Sequence, residues 1–153
     1  MILPITLTIA GAAALLHIWL TSRVIRARNA IKVSVGDGGN EGVMRRMRAH
    51  ANYAENMPIF LILLGLVELA GGDTRILWGV GIAFIFARIL HAFGMDRPSL
   101  YRLRLVGMVL TMLLIVGMAG WALSFAYRQP IERGNEIEMG PGRSAEIPAV
   151  PQG

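Results

Sequence analysis

The sequence predicts an all-α membrane protein built as an antiparallel four-helix transmembrane bundle. Three observations predict it. The 153-residue chain is 54% hydrophobic and only 16% charged, with a mean hydropathy of +0.53, a balance foreign to a soluble domain of this length. Four stretches are nearly free of Asp, Glu, Lys and Arg, each close to the about 20 residues that a spanning helix needs. The cationic residues gather in two of the connections between those stretches, the pattern of cytoplasmic loops.

The first span, about residues 2–22, holds no charged side chain. It has neither the basic leader nor the small-residue cleavage site of a signal peptide and runs directly into TSRVIRAR, so it is read as a retained helix. The connection NAIKVSVGDGGNEG is glycine-rich and polar, as a loop is. It ends in Asn40, suited to cap a helix, with Glu41 in the first turn. Its GDGGN lacks the Gly-Lys-Ser/Thr sequel of a phosphate cradle, which leaves a turn as the better reading. Helical character then runs from about Glu41 to Ala70, longer than a bilayer is thick. Its second span is about residues 53–71, and its first turns project beyond the membrane.

The third span, about residues 76–95, is apolar except for Arg88. Pro98, in GMDRPSLYRLR, separates it from the fourth, about residues 104–127. These spans form one domain, residues 1–127. The tail, residues 128–153, contains four of the seven prolines and no apolar periodicity, and is expected to be disordered.

Charge gives the expected orientation. Arg23, Arg26, Arg28, Lys32, Arg45, Arg46 and Arg48 lie between spans one and two, and Arg97, Arg102 and Arg104 between spans three and four. Both termini should therefore face away from the cytoplasm. Trp78, Trp121 and Tyr127 would form an outer aromatic belt, and Trp19, Tyr53 and Tyr101 an inner one. The net charge of +5 then reflects topology and contact with anionic membrane lipids rather than nucleic acid, because no arginine cluster is interleaved with aromatics in a soluble module. The absence of cysteine excludes disulfides and thiolate metal sites, and three histidines without metal-ligand spacing give no expectation of a metal.

The polar residues inside the apolar spans carry the functional signal. Arg45, Arg48, Asn52 and Glu55 are spaced so that, at about 100° per residue, they share an arc of roughly 80° on the second helix. His50 falls outside that arc. On the third helix Arg88, His91 and Met95 share a face. A charge at this depth is penalised by about 2.5 kcal/mol or more, so Arg88 should face the bundle interior with a partner, Glu55 being the nearest by depth. Such a pair could simply neutralise itself and fix packing. Two arginines, an amide and a carboxylate on one face exceed what a single partner arginine neutralises. They suit a small zwitterionic ligand bearing carboxylates and an amine.

At these residues the chain resembles the MAPEG family, the membrane-associated proteins of eicosanoid and glutathione metabolism. The motif Arg-Ala-x-x-Asn-x-x-Glu-x-x-Pro is present as Arg48, Ala49, Asn52, Glu55 and Pro58, and Ala-Arg-x-x-aromatic-x-x-Gly as Ala87, Arg88, His91 and Gly94. The form GDGGN followed by RAHANYAEN resembles the bacterial branch. The resemblance covers about residues 1–127. It implies a homotrimer in a bacterial inner membrane, with glutathione as co-substrate between neighbouring subunits near the cytosolic face. Arg48, Asn52 and Glu55, with Arg88 and His91 on the third helix, would contact the tripeptide. Arg26 or Arg28 of the adjacent subunit would add a carboxylate clamp. Either Arg102 or Arg104 would favour the thiolate, which attacks a hydrophobic small-molecule electrophile arriving from the bilayer. Several glutathione-using members have tyrosines where this chain has Asn56, His91 and Met95. An alternative reading is a non-catalytic protein whose polar pocket binds lipid or stabilises the trimer.

Overall fold

The computed structural model describes residues 2–138, with side chains described as far as Tyr127. Four α-helices follow in order: α1 Pro4–Ala30, α2 Glu41–Leu69, α3 Thr74–Gly94 and α4 Tyr101–Glu138, with a short 3-10 turn at Pro98–Leu100. Among the described residues there is no strand. Helix α4 continues to Glu138, past the boundary at residue 127 where disorder was expected. The rest of that tail, residues 139–153, lies outside the described residues.

The chain spells the helix ends out locally. Asn40 caps α2 by accepting from Val43 N–H at 3.1 Å, with Glu41 in the first turn. Asp73 caps α3 through Arg75 and Ile76 N–H. The loop before α2 turns through Lys32, Gly36, Gly38 and Gly39, all at positive φ, and Asp37 folds its carboxylate onto Gly39 N–H rather than outward.

Cross-helix contacts give the arrangement. Tyr53 donates to the Ala13 carbonyl at 2.6 Å and the His17 ring lies 4.7 Å from that of His50, tilted against it, so α1 and α2 are antiparallel. Arg88 reaches Thr111 and Gly94 meets Arg104, so α3 and α4 are antiparallel too. Ile9 lies against Gly81 and Trp19 against Phe93, which makes α1 and α3 parallel neighbours. Phe60 and Phe84 stack at 3.7 Å where α2 crosses α3 in the core.

Three helices are long and apolar enough to cross a membrane: α1, α3, and the segment from Pro98 to Tyr127 that contains most of α4. Their outward faces carry Leu7, Leu15, Ile18, Ile82, Phe86, Leu113 and Val116, a surface suited to lipid. Helix α2, with Glu41, Arg45, Arg46 and Arg48 in its first turns, is more polar, yet it covers the same thickness. Its Glu68 accepts from Ile5 N–H at 2.9 Å, Thr6 N–H at 2.7 Å and the Thr6 hydroxyl at 2.6 Å. Leu3, at the N-cap of α1, offers no side-chain acceptor, so a carboxylate from another helix satisfies that end. Glu68→Ala should cost about 1–2 kcal/mol, as loss of a helix cap and of interhelical hydrogen bonds does. Detergent-unfolding curves of the purified protein check it, and Gln at this position should recover part of the loss.

One aromatic departs from the belt expected of it. Tyr53 is 2% exposed and forms part of the core, because its hydroxyl finds a buried backbone partner in α1.

Candidate functional site

A cavity of 480 Å³ opens where α2, α3 and α4 meet at the basic end of the bundle, and Arg48, Asn52, Glu55, His91, Met95, Tyr101 and Arg104 line it. Each helix contributes one face. The 3- and 4-residue spacing along α2 brings Arg48, Asn52 and Glu55 to the same wall. His91 comes from the last turn of α3 and Met95 from the cap that follows it, and Tyr101 and Arg104 from the first turn of α4. Leu105 and Met108 make the wall apolar toward the membrane. An adjoining recess of 210 Å³ shares Tyr101 and Arg104 and adds Arg45 and Arg97.

Arg48, Glu55 and Arg104 are exposed and Asn52 is half-buried, so an anionic group entering the cavity meets two guanidiniums and an amide. Among the described residues Arg48, Glu55 and Arg104 form no ion pair, which leaves their hydrogen-bonding capacity available to a ligand. His91 is 4% exposed, and its Nδ1 has no hydrogen-bond partner among the described residues.

Behind Asn52 lies Arg88, 2% exposed. It donates to Asn52 Oδ1 at 2.7 Å and to the Thr111 hydroxyl at 3.3 Å, and that hydroxyl donates to the Gly107 carbonyl at 2.7 Å. The expected pairing of Arg88 with Glu55 does not form, because the guanidinium meets α2 one turn earlier, at Asn52. Glu55 faces the cavity instead. Arg88 therefore touches the cavity wall only through Asn52.

Not every candidate converges here. Arg104 lines the cavity, whereas Arg102 does not; it is exposed on α4, with Nε 3.4 Å from its neighbour Tyr101. Arg26 bonds to Ser22 on its own helix, and Arg28 donates to the Gly36 carbonyl at 2.9 Å. Neither lines this cavity within one chain. Asn56, one of the positions where several glutathione-using members have a tyrosine, turns its amide back onto the Asn52 carbonyl at 2.7 Å. His50, outside the stripe by angle, sits at the α1–α2 seam 3.2 Å from Thr21 Oγ1. Sequence reasoning assigned Tyr101 only to a belt. Its spacing of three residues from Arg104 on one helix was the available signal.

This constellation can be set beside known proteins. The sequence profile described as the MAPEG family matches residues 6–124. The chain belongs to the MAPEG family. Among its curated relatives is the inner membrane protein YecN of Escherichia coli K12, 32% identical over 126 residues that cover 78% of this chain and 95% of YecN. The YecN of Escherichia coli O6:H1 matches to the same extent. The MAPEG match takes in all of α2 and α3, and α4 as far as residue 124, and hence every residue named on the cavity wall.

Proposed function

We propose that this MAPEG protein is a glutathione-dependent transferase or peroxidase of the bacterial inner membrane, assembled as a homotrimer with its basic end in the cytoplasm. The observation that carries the proposal is the convergence of Arg48, Asn52, Glu55 and Arg104 on one cavity at the membrane's edge. Glutathione bears two carboxylates, an ammonium, two amides and a thiol. Arg48 forms bidentate bonds to a carboxylate, Glu55 takes the ammonium, and Asn52 both donates to and accepts from an amide. The second carboxylate is left to Arg26 or Arg28 of an adjacent subunit. That both lie away from the cavity within one chain is consistent with that division. YecN's name as an inner membrane protein and the concentration of cations at one end support the location and orientation.

Arg104 stabilises the thiolate at this site. With an aryl halide, the thiol proton passes to water, a carbon–sulfur bond forms and halide leaves. With a lipid hydroperoxide, two thiols become one disulfide while the peroxide is reduced to alcohol and water. Leu105 and Met108 leave the membrane side of the cavity open to such apolar substrates.

A thermal-shift titration of the purified protein with glutathione tests the reading directly, because a ligand selective for the native state raises its stability by RT ln(1 + [L]/Kd). Arg48→Ala should raise Kd about tenfold or more. It should leave the unliganded protein as stable as before, since Arg48 is exposed and forms no ion pair among the described residues. No shift with glutathione in the wild-type protein, together with no thiol-dependent conjugation of an aryl halide, would overturn the proposal. It would favour a non-catalytic MAPEG protein that holds a lipid or stabilises its trimer through this pocket. The turned-back Asn56 amide and Met95 on the cavity wall favour that second reading.

A further inference from the structure

A second cationic site lies on the other side of the bundle. A cavity of 390 Å³ at the basic end is lined by Trp19, Arg23, Arg26 and Ala27 of α1, Arg46 of α2 and Asp96 just beyond α3. Three guanidiniums face one carboxylate. Arg23 pairs with Asp96, and its side chain is only 11% exposed. It lies 4.6 Å over the Trp19 ring and 5.9 Å from the Phe93 centroid. Arg46 stands 3.8 Å from the same carboxylate with its side chain 41% exposed. Asp96 cannot neutralise all three, so the cavity keeps an excess of positive charge turned outward.

The same seam continues into the membrane as an apolar groove. Between α1 and α3 a second cavity of 340 Å³ is lined by Ala12, Trp78, Ile82, Phe86 and Ile89, among others. Its end at Ile89 is one helical turn from Phe93, which borders the arginine cavity. At about 100° per residue, Thr8, Ala12, Trp19, Arg23 and Arg26 share one arc of α1. Trp78, Ile82, Phe86, Ile89 and Phe93 share one arc of α3. The charged cavity and the groove therefore lie along one continuous strip. That strip runs from the basic edge of the bundle past its middle to Thr8 and Trp78 near the opposite end, with Trp19 at the depth where aromatic rings meet lipid headgroups.

We propose that the α1–α3 seam is a binding site for an anionic phospholipid. The headgroup phosphate is held by Arg23 and Arg46 with Arg26 at the rim, and an acyl chain lies in the groove below. Guanidinium forks match phosphate oxygens geometrically, and basic pockets between transmembrane helices recognise such headgroups. The excess positive charge selects a lipid of net negative charge over a zwitterionic one. Within one chain this site shares no residue with the cavity between α2, α3 and α4, and Arg23 and Arg46, which hold the headgroup, have no part in the glutathione reading. Of its residues only Arg26, at the rim, is also a candidate clamp for an adjacent subunit's glutathione.

The test uses the full chain in detergent, with lipid binding read by native mass spectrometry and by thermal shift. Phosphatidylglycerol should be retained and should raise the melting temperature, while phosphatidylcholine of the same chains should do neither. Arg46→Gln removes charge at a well-exposed position and should weaken phosphatidylglycerol binding about tenfold. Ile82→Trp fills the groove at a lipid-facing position, and should weaken phosphatidylglycerol binding while leaving any response to sn-glycerol 3-phosphate unchanged. Equal retention of the two lipids would overturn the proposal, as would an unchanged affinity in Arg46→Gln. Stabilisation by inorganic phosphate or sn-glycerol 3-phosphate, with phosphatidylglycerol binding unaffected by Ile82→Trp, would mark a site for a soluble phosphate and would equally overturn it.

Discussion

Arg88→Met is expected to leave the fold as stable as before, or to stabilise it, while weakening the proposed glutathione binding about tenfold. Arg88 is 2% exposed, and no carboxylate among the described residues pairs with it. Its hydrogen bonds go to the neutral groups of Asn52 and Thr111, and its Nε has no partner among the described residues. Interhelical hydrogen bonds in membranes average about 0.6 kcal/mol each. Burying an uncompensated charge costs several times as much. Methionine fills much of the same space without the charge and adapts to its surroundings, so the stability terms roughly cancel or favour the variant. The site loses more. Asn52 loses the donor that fixes its side chain, and the cavity loses a positive charge just behind its wall. Melting curves and glutathione titrations on the same sample separate the two effects. A loss of several kcal/mol in stability would mean that Arg88 serves the packing of the bundle through its bonds to Asn52 and Thr111, and the positioning role would fall.

Gly94→Ala should have the opposite signature, a collapse of stability by at least about 3 kcal/mol, as severe overpacking against a backbone gives. A Cβ added there would lie 2.1 Å from Arg104 N and 2.6 Å from Arg104 Cα. Those atoms are backbone, so no rotamer change relieves the clash and α3 and α4 must separate. Gly107 makes the reciprocal contact from α4, its added Cβ falling 2.6 Å from the Ala87 carbonyl oxygen. The two glycines thus let α3 and α4 touch, as small residues do at helix interfaces in membranes. Because Arg104 and His91 sit at this contact, separation would also disperse the cavity. Gly117 serves as the control, since its added Cβ meets nothing within 4 Å. Gly117→Ala should be silent in size-exclusion and unfolding measurements where Gly94→Ala is not.

Much of this was legible before any coordinates. The ends of α2 followed from Asn40, Glu41 and the residues near Ala70, because capping chemistry is local. The stripe of Arg48, Asn52 and Glu55 followed from helical angle alone, and so did the exclusion of His50. Depth along a helix is a matter of counting residues, which is why Arg88 was correctly placed near the level of the stripe. The direction in which it meets a neighbouring helix depends on tertiary packing, and there Asn52, one turn earlier than Glu55, makes the contact. The role of Gly94 was hidden for a related reason. A glycine in a motif signals a close approach but does not name the atom that approaches. Asn56 was legible as a departure from the family's tyrosines, but not where its amide would go: it bonds to its own helix, an option that a tyrosine ring at the same position does not have.

The carboxylate of Glu68 on the first turn of α1 bears on how the protein is made. Synthesis delivers α1 first, with donors at its leading end and no acceptor of its own to offer them. Those donors are met only when nearly all of α2 has followed, and Glu68 in turn has a charge to shelter until it meets Ile5 and Thr6. Each helix carries the other's unfinished business across the membrane, so α1 and α2 are suited to enter together as a helical hairpin latched at its far end. A nascent chain that stops short of residue 68 would leave that hairpin open.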